Sequence, residues 1–560
     1  MKIFATIRMR PWLVPTIVFS VLVIGAATMH PLWGDEAETA LFARNILTYG
    51  VPKGWDGVNI MGINNAVVLD KNLLNHTSPW AQYYMVALSF FVFGQTSFTA
   101  RIPSILFSII VLPLTYILAY RLTQNRRIAW VSSIILSVSV PWILFAYQAR
   151  YYSLATVAGL LLTVAFLSFA KSGKKYALLW AVSAILFFHA NYVILSAFTI
   201  SLAIATLIYI IVSRSTRSFV QTVWQKALII LPLTLLFTLP WFLILKPFEN
   251  RGAIALPPLP DASEEFIFLF IDALARYNLN NALPILLLPI GMYIMLFNKK
   301  DRAGLIFTVC LMLSFFAVMT FFTVIARVDT SFTLSRYTMV ILPFLSILVA
   351  IILNTIWQRH ARLGTLALVF YLSTNIFTWP QENVFTEKVT SEVIRWGHIR
   401  SLPWEFVTEL FYPYKTPDIV VAQYLKEKAK VGDTAFVNLD RNHEPLIFHL
   451  GKKIKFVNRV SLINTRIFPE NRAIIPRYIY AFRDSPDWVI LYSKRGMDES
   501  FFTFDYRPLP PEIDLTRDYE ETVLPVFFSD MSRPEIELRS FRGINPNEGD
   551  FVYVYKKKSE

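Results

Sequence analysis

Trp33-Gly34-Asp35-Glu36-Ala37-Glu38 puts three carboxylates into one turn, directly after a long apolar stretch. Crowding or burial disfavours the charged form of a carboxylate, so such a group holds a proton more readily and repels its neighbours. The same residues also read as a plain helix start, with Asp35 as N-cap of a helix through Ala40–Leu47. His76-Thr77-Ser78-Pro79-Trp80 closes the loop that this turn opens. His76 can bind phosphate, ligate a metal or cap a turn. Asn75-His76-Thr77 also fits a glycosylation sequon, a common match. Further along, Arg150 stands among Tyr147, Tyr151 and Tyr152, and Ser335-Arg336-Tyr337 repeats the theme. A guanidinium beside tyrosines at a membrane surface suits a phosphate group; a snorkelling side chain explains it equally. His189-Ala190-Asn191-Tyr192 marks one more polar turn.

The elements that carry these residues are membrane spans. Of 560 residues 55% are hydrophobic and 16% charged, where a soluble chain has about a quarter charged. The net charge of +14 sits largely in short loops between apolar runs. There it sets topology, so no nucleic-acid partner is expected. The single cysteine, Cys310, permits no intrachain disulfide. Lys2, Arg8 and Arg10 precede the first apolar run without a small-residue cleavage site, which reads as an uncleaved first span.

About eleven spans are expected: Trp12–Thr28, Ile102–Tyr120, Ile128–Tyr147, Ser153–Ala170, Tyr176–Phe188, Ile194–Val212, Ala227–Leu245, Leu283–Phe297, Leu305–Val324, Thr338–Asn354 and Leu363–Phe377. Short basic loops (121–127, 171–175, 214–226, 299–302 and 359–362) alternate strictly with longer, more aromatic ones. Positive charge stays inside, so the N-terminus is expected in the cytoplasm and the C-terminal segment outside. Pro79–Gly94 is apolar but short; counting it as a span would turn every later basic loop outward. It reads as a helix lying on the outer membrane surface, with Trp80, Tyr83, Tyr84, Phe90, Phe91 and Phe93 at the interface.

After Pro380 the long apolar runs stop. Thr434–Asn438, Leu446–Leu450, Ile454–Asn458 and Trp488–Tyr492 read as strands and Pro417–Lys428 as a helix, with a turn at Val431-Gly432-Asp433. Helix alternating with strand predicts a small α/β domain. The expected organisation is a transmembrane domain over 1–380, with a long first outer loop (30–78) and a surface helix (79–94), and an extracytoplasmic α/β domain over 381–560. The polar clusters all fall on the outer side, while the spans are nearly free of charge. A transporter or flippase would carry charges near mid-bilayer and broken, repeated helices. Chemistry at the outer surface, on a lipid-borne substrate, fits better.

The order of these features resembles the GT-C glycosyltransferases, in the protein O-mannosyltransferase and lipid A aminoarabinose transferase branch. The resemblance rests on the Gly34-Asp35-Glu36 loop start, His76-Thr77-Ser78-Pro79-Trp80, Phe93-Gly94 to Arg101-Ile102-Pro103-Ser104, Ala149-Arg150-Tyr151-Tyr152, Arg336-Tyr337 with Pro343, and Pro445-Leu446-Ile447-Phe448-His449-Leu450-Gly451. It implies a polytopic α-helical fold with an extracytoplasmic α/β domain, in the cytoplasmic (inner) membrane. The implied activity moves a hexosyl or pentosyl group from a polyprenyl-phosphate donor to a lipid, glycan or protein acceptor, with inversion. A glycan ligase is a related alternative. Asp35 would be the general base and Glu36 would orient acceptor or base. His76, Arg150 and Arg336, with Tyr151 and Tyr337 beside them, would hold the donor phosphate. Thr77-Ser78 stands where members commonly have a Pro-Pro form, which leaves the donor contacts of that turn open. Some members bind a divalent metal near this loop, and His76 with Glu36 or Glu38 could do so here, but no metal ligand is counted among the expected site residues.

Overall fold

The computed structural model describes residues 11–29, 31–62, 69–76, 78–169, 174–213, 217–245, 267, 270, 284–297, 299–322, 336–377, 399–411, 416–438, 443–458, 473–482, 484–493, 509–510, 513–526 and 550–559. Lys2, Arg8, Arg10, Thr77 and Ser335, parts of two basic loops (170–173 and 214–216) and the expected domain boundary at 380/381 lie outside them. The chain forms two compact units, one of residues 1–27, 104–244 and 253–410, the other of residues 28–103, 245–252 and 411–560.

In chain order the first helices are α1 (Leu13–Met29), α2 (Gly34–Tyr49), α3 (Ala81–Phe93), α4 (Ser97–Thr123), α5 (Arg126–Ser137), α6 (Val140–Ala146) and α7 (Tyr152–Phe169). They are followed by α8 (Lys174–Ala190), α9 (Tyr192–Ser213), α10 (Arg217–Leu245), α11 (Leu288–Phe297), α12 (Lys299–Phe322), α13 (Leu342–Arg359) and α14 (Ala361–Ser373). Among the described residues four helical stretches, at 97–123, 192–211, 302–321 and 339–359, are long and apolar enough to cross a membrane. The number is six when the α1/α2 and α5/α6 pairs each count as one bent span. The other five expected spans fall on α7, α8, α10, α11 and α14, of which α11 and α14, at 10 and 13 residues, are shorter than a crossing length of about 17–25.

One of the expected spans is broken. Ile128–Tyr147 is two helices bent by 64°. The break lies at Val138 and Ser139, and Pro141 opens the second piece. Proline lacks the N–H that would continue the ladder, and its ring clashes with the preceding turn.

In the first unit α13 runs through the middle. Residues from Leu342 to Thr355 are buried all round, which marks an interior helix rather than an amphipathic one. It packs on α5, α12 and α14, while α9 packs on α12 and α7 on α8. Contacts at the helix ends sort into two sets. In one, Arg121 lies over Tyr176, Arg127 over Trp357 and Arg359 over Tyr293, and the backbone of Gly304 meets Leu122. In the other, Tyr151 meets Tyr337, His189 meets Trp241, the Leu286 N–H donates to the Phe377 carbonyl, and Gly25 faces Leu410. The first set holds the basic loops; the second holds the aromatic and polar turns.

The second unit joins the first long loop to the C-terminal segment. Its C-terminal part holds α16 (Pro417–Lys428), α17 (His443–Leu450), and strands β1 (Thr434–Val437), β2 (Lys455–Phe456), β3 (Trp488–Ser493), β4 (Tyr519–Val526) and β5 (Asp550–Lys557). The sheet order is β2-β1-β3-β5-β4. β1 runs parallel to β2 and β3, and β5 antiparallel to β3 and β4. The expected strand at Leu446–Leu450 is instead the end of α17. His443, Pro445, Leu446, Ile447, Phe448 and Leu450 are buried there, and a run buried on most sides has no periodicity that separates strand from helix. The turn at Val431-Gly432-Asp433 is present, with Gly432 at φ +95°. The loop meets the sheet edge through Asn59, whose Nδ2 donates to the Ile454 carbonyl and whose Oδ1 accepts from the Phe456 N–H. Trp55, Ile60 and Leu73 pack with Ile475 and Ile479, and the Tyr478 hydroxyl donates to the Val58 carbonyl.

Candidate functional site

The second unit carries the acidic turn. Helix α2 begins at Gly34, with Trp33 as its N-cap and the Ala37 N–H bonded to the Trp33 carbonyl. Asp35 is therefore inside the first turn rather than capping it, and the helix starts six residues earlier than Ala40. The N-terminal end of a helix favours negative charge, which suits two carboxylates in that turn. Glu36 points inward and is wholly buried. Arg101 grips it: Nε donates to Oε1 at 2.8 Å and Nη2 to Oε2 at 2.5 Å. The same guanidinium donates to the Pro31 carbonyl. Asp35 is 9% exposed, at the rim of the turn, and its carbonyl accepts from the Thr39 hydroxyl. Glu38 lies with its carboxylate against Gly62, a residue at φ +71° whose added Cβ would stand 3.2 Å from Glu38 Oε1 and 2.8 Å from Phe42 Cζ.

His76 also belongs to this unit. Its Nε2 meets Asp70 Oδ2 at 3.0 Å. Asp70 in turn accepts from the backbone N–H groups of Asn72 and Leu74. Burial pushes the Asp70 carboxyl up, but His76 and these N–H groups outweigh it and hold the group below its ordinary value. The turn is fixed by Trp80 Nε1 donating to the Asn75 carbonyl and by Asn75 Nδ2 donating to the Tyr83 hydroxyl. Asn75 is buried, so the sequon does not present its amide to a modifying enzyme. Among the described residues no group of three or more His, Cys, Asp or Glu side chains is placed to hold a metal ion.

In the first unit the two arginine–tyrosine motifs come together, although nearly two hundred residues separate them in sequence. The Tyr151 and Tyr337 rings lie 6.2 Å apart, and Arg150 sits 5.8 Å from the centre of the Tyr151 ring. Arg336 is the chain neighbour of Tyr337, so this ring contact brings the two motifs to one place. The break between α5 and α6 allows this, since it turns the chain toward Gln148 and Arg150 before α7 starts at Tyr152.

The residue that sequence reasoning left without a role is Arg101. It stood only as part of a motif run. Its signal was its setting, a lone cation beside Ile102 at the start of a long apolar helix, opposite in charge to an acidic turn.

No sequence-family model matches the chain, and no curated protein is significantly similar to it. Solved structures are similar. The crystal structure of ArnT from Cupriavidus metallidurans bound to undecaprenyl phosphate superposes with a TM-score of 0.55 at 13% identity, over 86% of this chain and 93% of its own. The apo state of the same protein gives 0.53 at 13% identity, over 87% and 93%. The archaeal oligosaccharyltransferase AglB from Archaeoglobus fulgidus, in complex with an inhibitory peptide and a dolichol-phosphate, gives 0.41 at 7% identity, over 87% and 70%. The ArnT likeness shows the fold: this chain shares the architecture of that protein, as its motif order led one to expect.

Proposed function

We propose that the protein is an inverting glycosyltransferase that moves a sugar from a polyprenyl-phosphate donor to a lipid, glycan or protein acceptor at the outer face of the cytoplasmic membrane. The observation that carries this reading is the meeting of the Arg150–Tyr151 and Arg336–Tyr337 motifs through the Tyr151–Tyr337 ring contact. Two guanidinium groups beside phenols offer planar donors to phosphate oxygens and offset the charge that develops on a departing lipid phosphate. A fold shared with a protein crystallised on undecaprenyl phosphate supports the same donor class.

In this reading Asp35 takes the proton of the acceptor nucleophile as the new glycosidic bond forms. The bond from the sugar to the carrier phosphate breaks, and the phosphate leaves with the electron pair. Glu36 is a positioning residue, pinned by Arg101, that fixes the turn carrying Asp35. His76 adds a donor at the end of the same loop. The test is to incubate purified protein, in liposomes, with a panel of labelled polyprenyl-phosphate sugars and a membrane extract. Label transferred from at least one donor to an acceptor, lost in Asp35→Asn, is the expected result. Movement of an intact donor across the bilayer with no transfer overturns the reading in favour of a flippase.

A further inference from the structure

A short helix, α15 (Leu402–Leu410), follows the last apolar helix of the first unit. Its polarity is inverted. Glu405, Phe406 and Glu409 are buried, whereas Trp404 is 68% exposed. Thr408 follows Trp404 on the same face one turn on, and its hydroxyl donates to the Trp404 carbonyl. Ile399, just before the helix, is exposed as well. In water a surface helix turns its charges out; this one buries both carboxylates beside Phe406 and exposes Trp404.

The inward carboxylates are held. Arg400 Nε donates to Glu405 Oε1 at 2.9 Å, and Nη2 bonds the other oxygen. Arg400 is fixed by its own backbone: its N–H donates to Asn375 Oδ1, and the Asn375 N–H donates to the Arg400 carbonyl. Asn375 lies just past the end of α14, so this clamp ties the start of α15 to the end of that helix. α15 also packs on α6, and Leu410 faces Gly25 near the end of α1. All three neighbours are the ends that carry the aromatic and polar turns. The exposed face of α14, with Leu363, Leu366, Val369 and Phe370, is the apolar surface that a membrane helix gives to lipid tails. α15 packs on α14 near that helix's end.

We infer that α15 is an interfacial anchor, whose Trp404–Thr408 face rests in the headgroup boundary of the bilayer while the Arg400–Glu405 clamp holds it at that depth. Tryptophan suits that boundary, being an apolar ring that tolerates one wet end. The partner is the phospholipid surface itself, and the anchor does not depend on the transfer reaction proposed above.

The single cysteine makes a direct test simple. In a Cys310→Ser background, Trp404→Cys and separately Thr408→Cys are spin-labelled and placed in phospholipid nanodiscs. Val431→Cys, at a position 84% exposed on the turn before β1, gives the water reference. Collisions with dissolved oxygen and with a water-soluble nickel chelate are compared. The expected result is a several-fold shift toward oxygen at 404 and 408 relative to 431. Nickel access at 404 and 408 equal to that at 431 would show a face turned to water. Immobile labels shielded from both reagents would show a face covered by protein. Either result overturns the inference. Thr408→Cys removes no ring, so it keeps the test valid if Trp404→Cys fails to fold.

Discussion

Arg101 binds both carboxylate oxygens of Glu36, and the two side chains are 1% and 0% exposed. Neither charge can be given back to water. Breaking such a pair from one side leaves the other charge buried and unpaired, which costs about 3–5 kcal/mol, whereas replacing both partners with apolar residues is often neutral. Arg101→Met and Glu36→Leu should each lower the unfolding midpoint of the detergent-solubilised protein, and the double variant should recover most of that loss. Equal stability of the two single variants and the parent would remove the pair as the lock on the acidic turn.

Asp35 is the more exposed carboxylate of the same turn. Asp35→Asn keeps its shape and removes its basicity. Loss of a general base costs about 10²–10⁴-fold in rate, so transfer at saturating donor should fall by that factor while donor binding survives. Near-normal turnover in the folded variant would move the search for the base elsewhere in the loop. Glu38, turned toward Gly62, should tolerate Glu38→Gln with little change in rate.

Arg150→Ala and Arg336→Ala each remove one cation from the Tyr151–Tyr337 pair. A charge-assisted hydrogen bond contributes about 1.5–3 kcal/mol, so affinity for a polyprenyl-phosphate donor should drop roughly tenfold to a hundredfold. Titration calorimetry on both folded variants reads this directly. Unchanged affinity in both would return the arginines to a snorkelling role.

His449 gives a pH dependence outside the membrane. Burial, with Arg44 and Lys426 as cationic neighbours, pushes its imidazole down to about 4. The unfolded chain takes up this proton near pH 6.5 and the folded one does not, so stability rises with pH across that window. Its contribution is fully present above pH 6.5 and is lost as the pH falls to about 4, a difference of roughly 3 kcal/mol. His449→Gln should flatten the slope of denaturation midpoint against pH between 4 and 6.5. A slope identical to the parent's would assign it to other groups.

Much of this was legible because a membrane chain writes its helices as long apolar runs. Pro417–Lys428 is a helix with the limits read from its proline start and lysine end. Arg150 and Arg336 stood out because cations on the aromatic side lack a topological reason. Tertiary context decided what was not legible. Ile128–Tyr147 has the hydropathy of one span, and only the local chemistry of Ser139 and Pro141 bends it. Leu446–Leu450 is buried on too many sides for periodicity to choose helix over strand. β5 does alternate, with Val552 and Val554 buried and Phe551 exposed, but it lies among charged residues and pairs with a strand containing Pro525. The Arg101–Glu36 bond spans 65 residues, and no local pattern announces a partner at that distance.

Asn59 completes the free edge of β2 from a position 395 residues upstream of Ile454. A ribosome adding about 5–20 residues per second takes about 20–80 s to cover that interval. During that time α2 already exists, with Asp35 on it, but neither the strand edge nor α17 has been made. Closing so long a loop is slow and comes late. The acidic turn therefore sits on one of the first elements synthesised and one of the last to be fixed in place, and a chain that ends before Ile454 carries an acidic turn whose loop has no sheet to rest on.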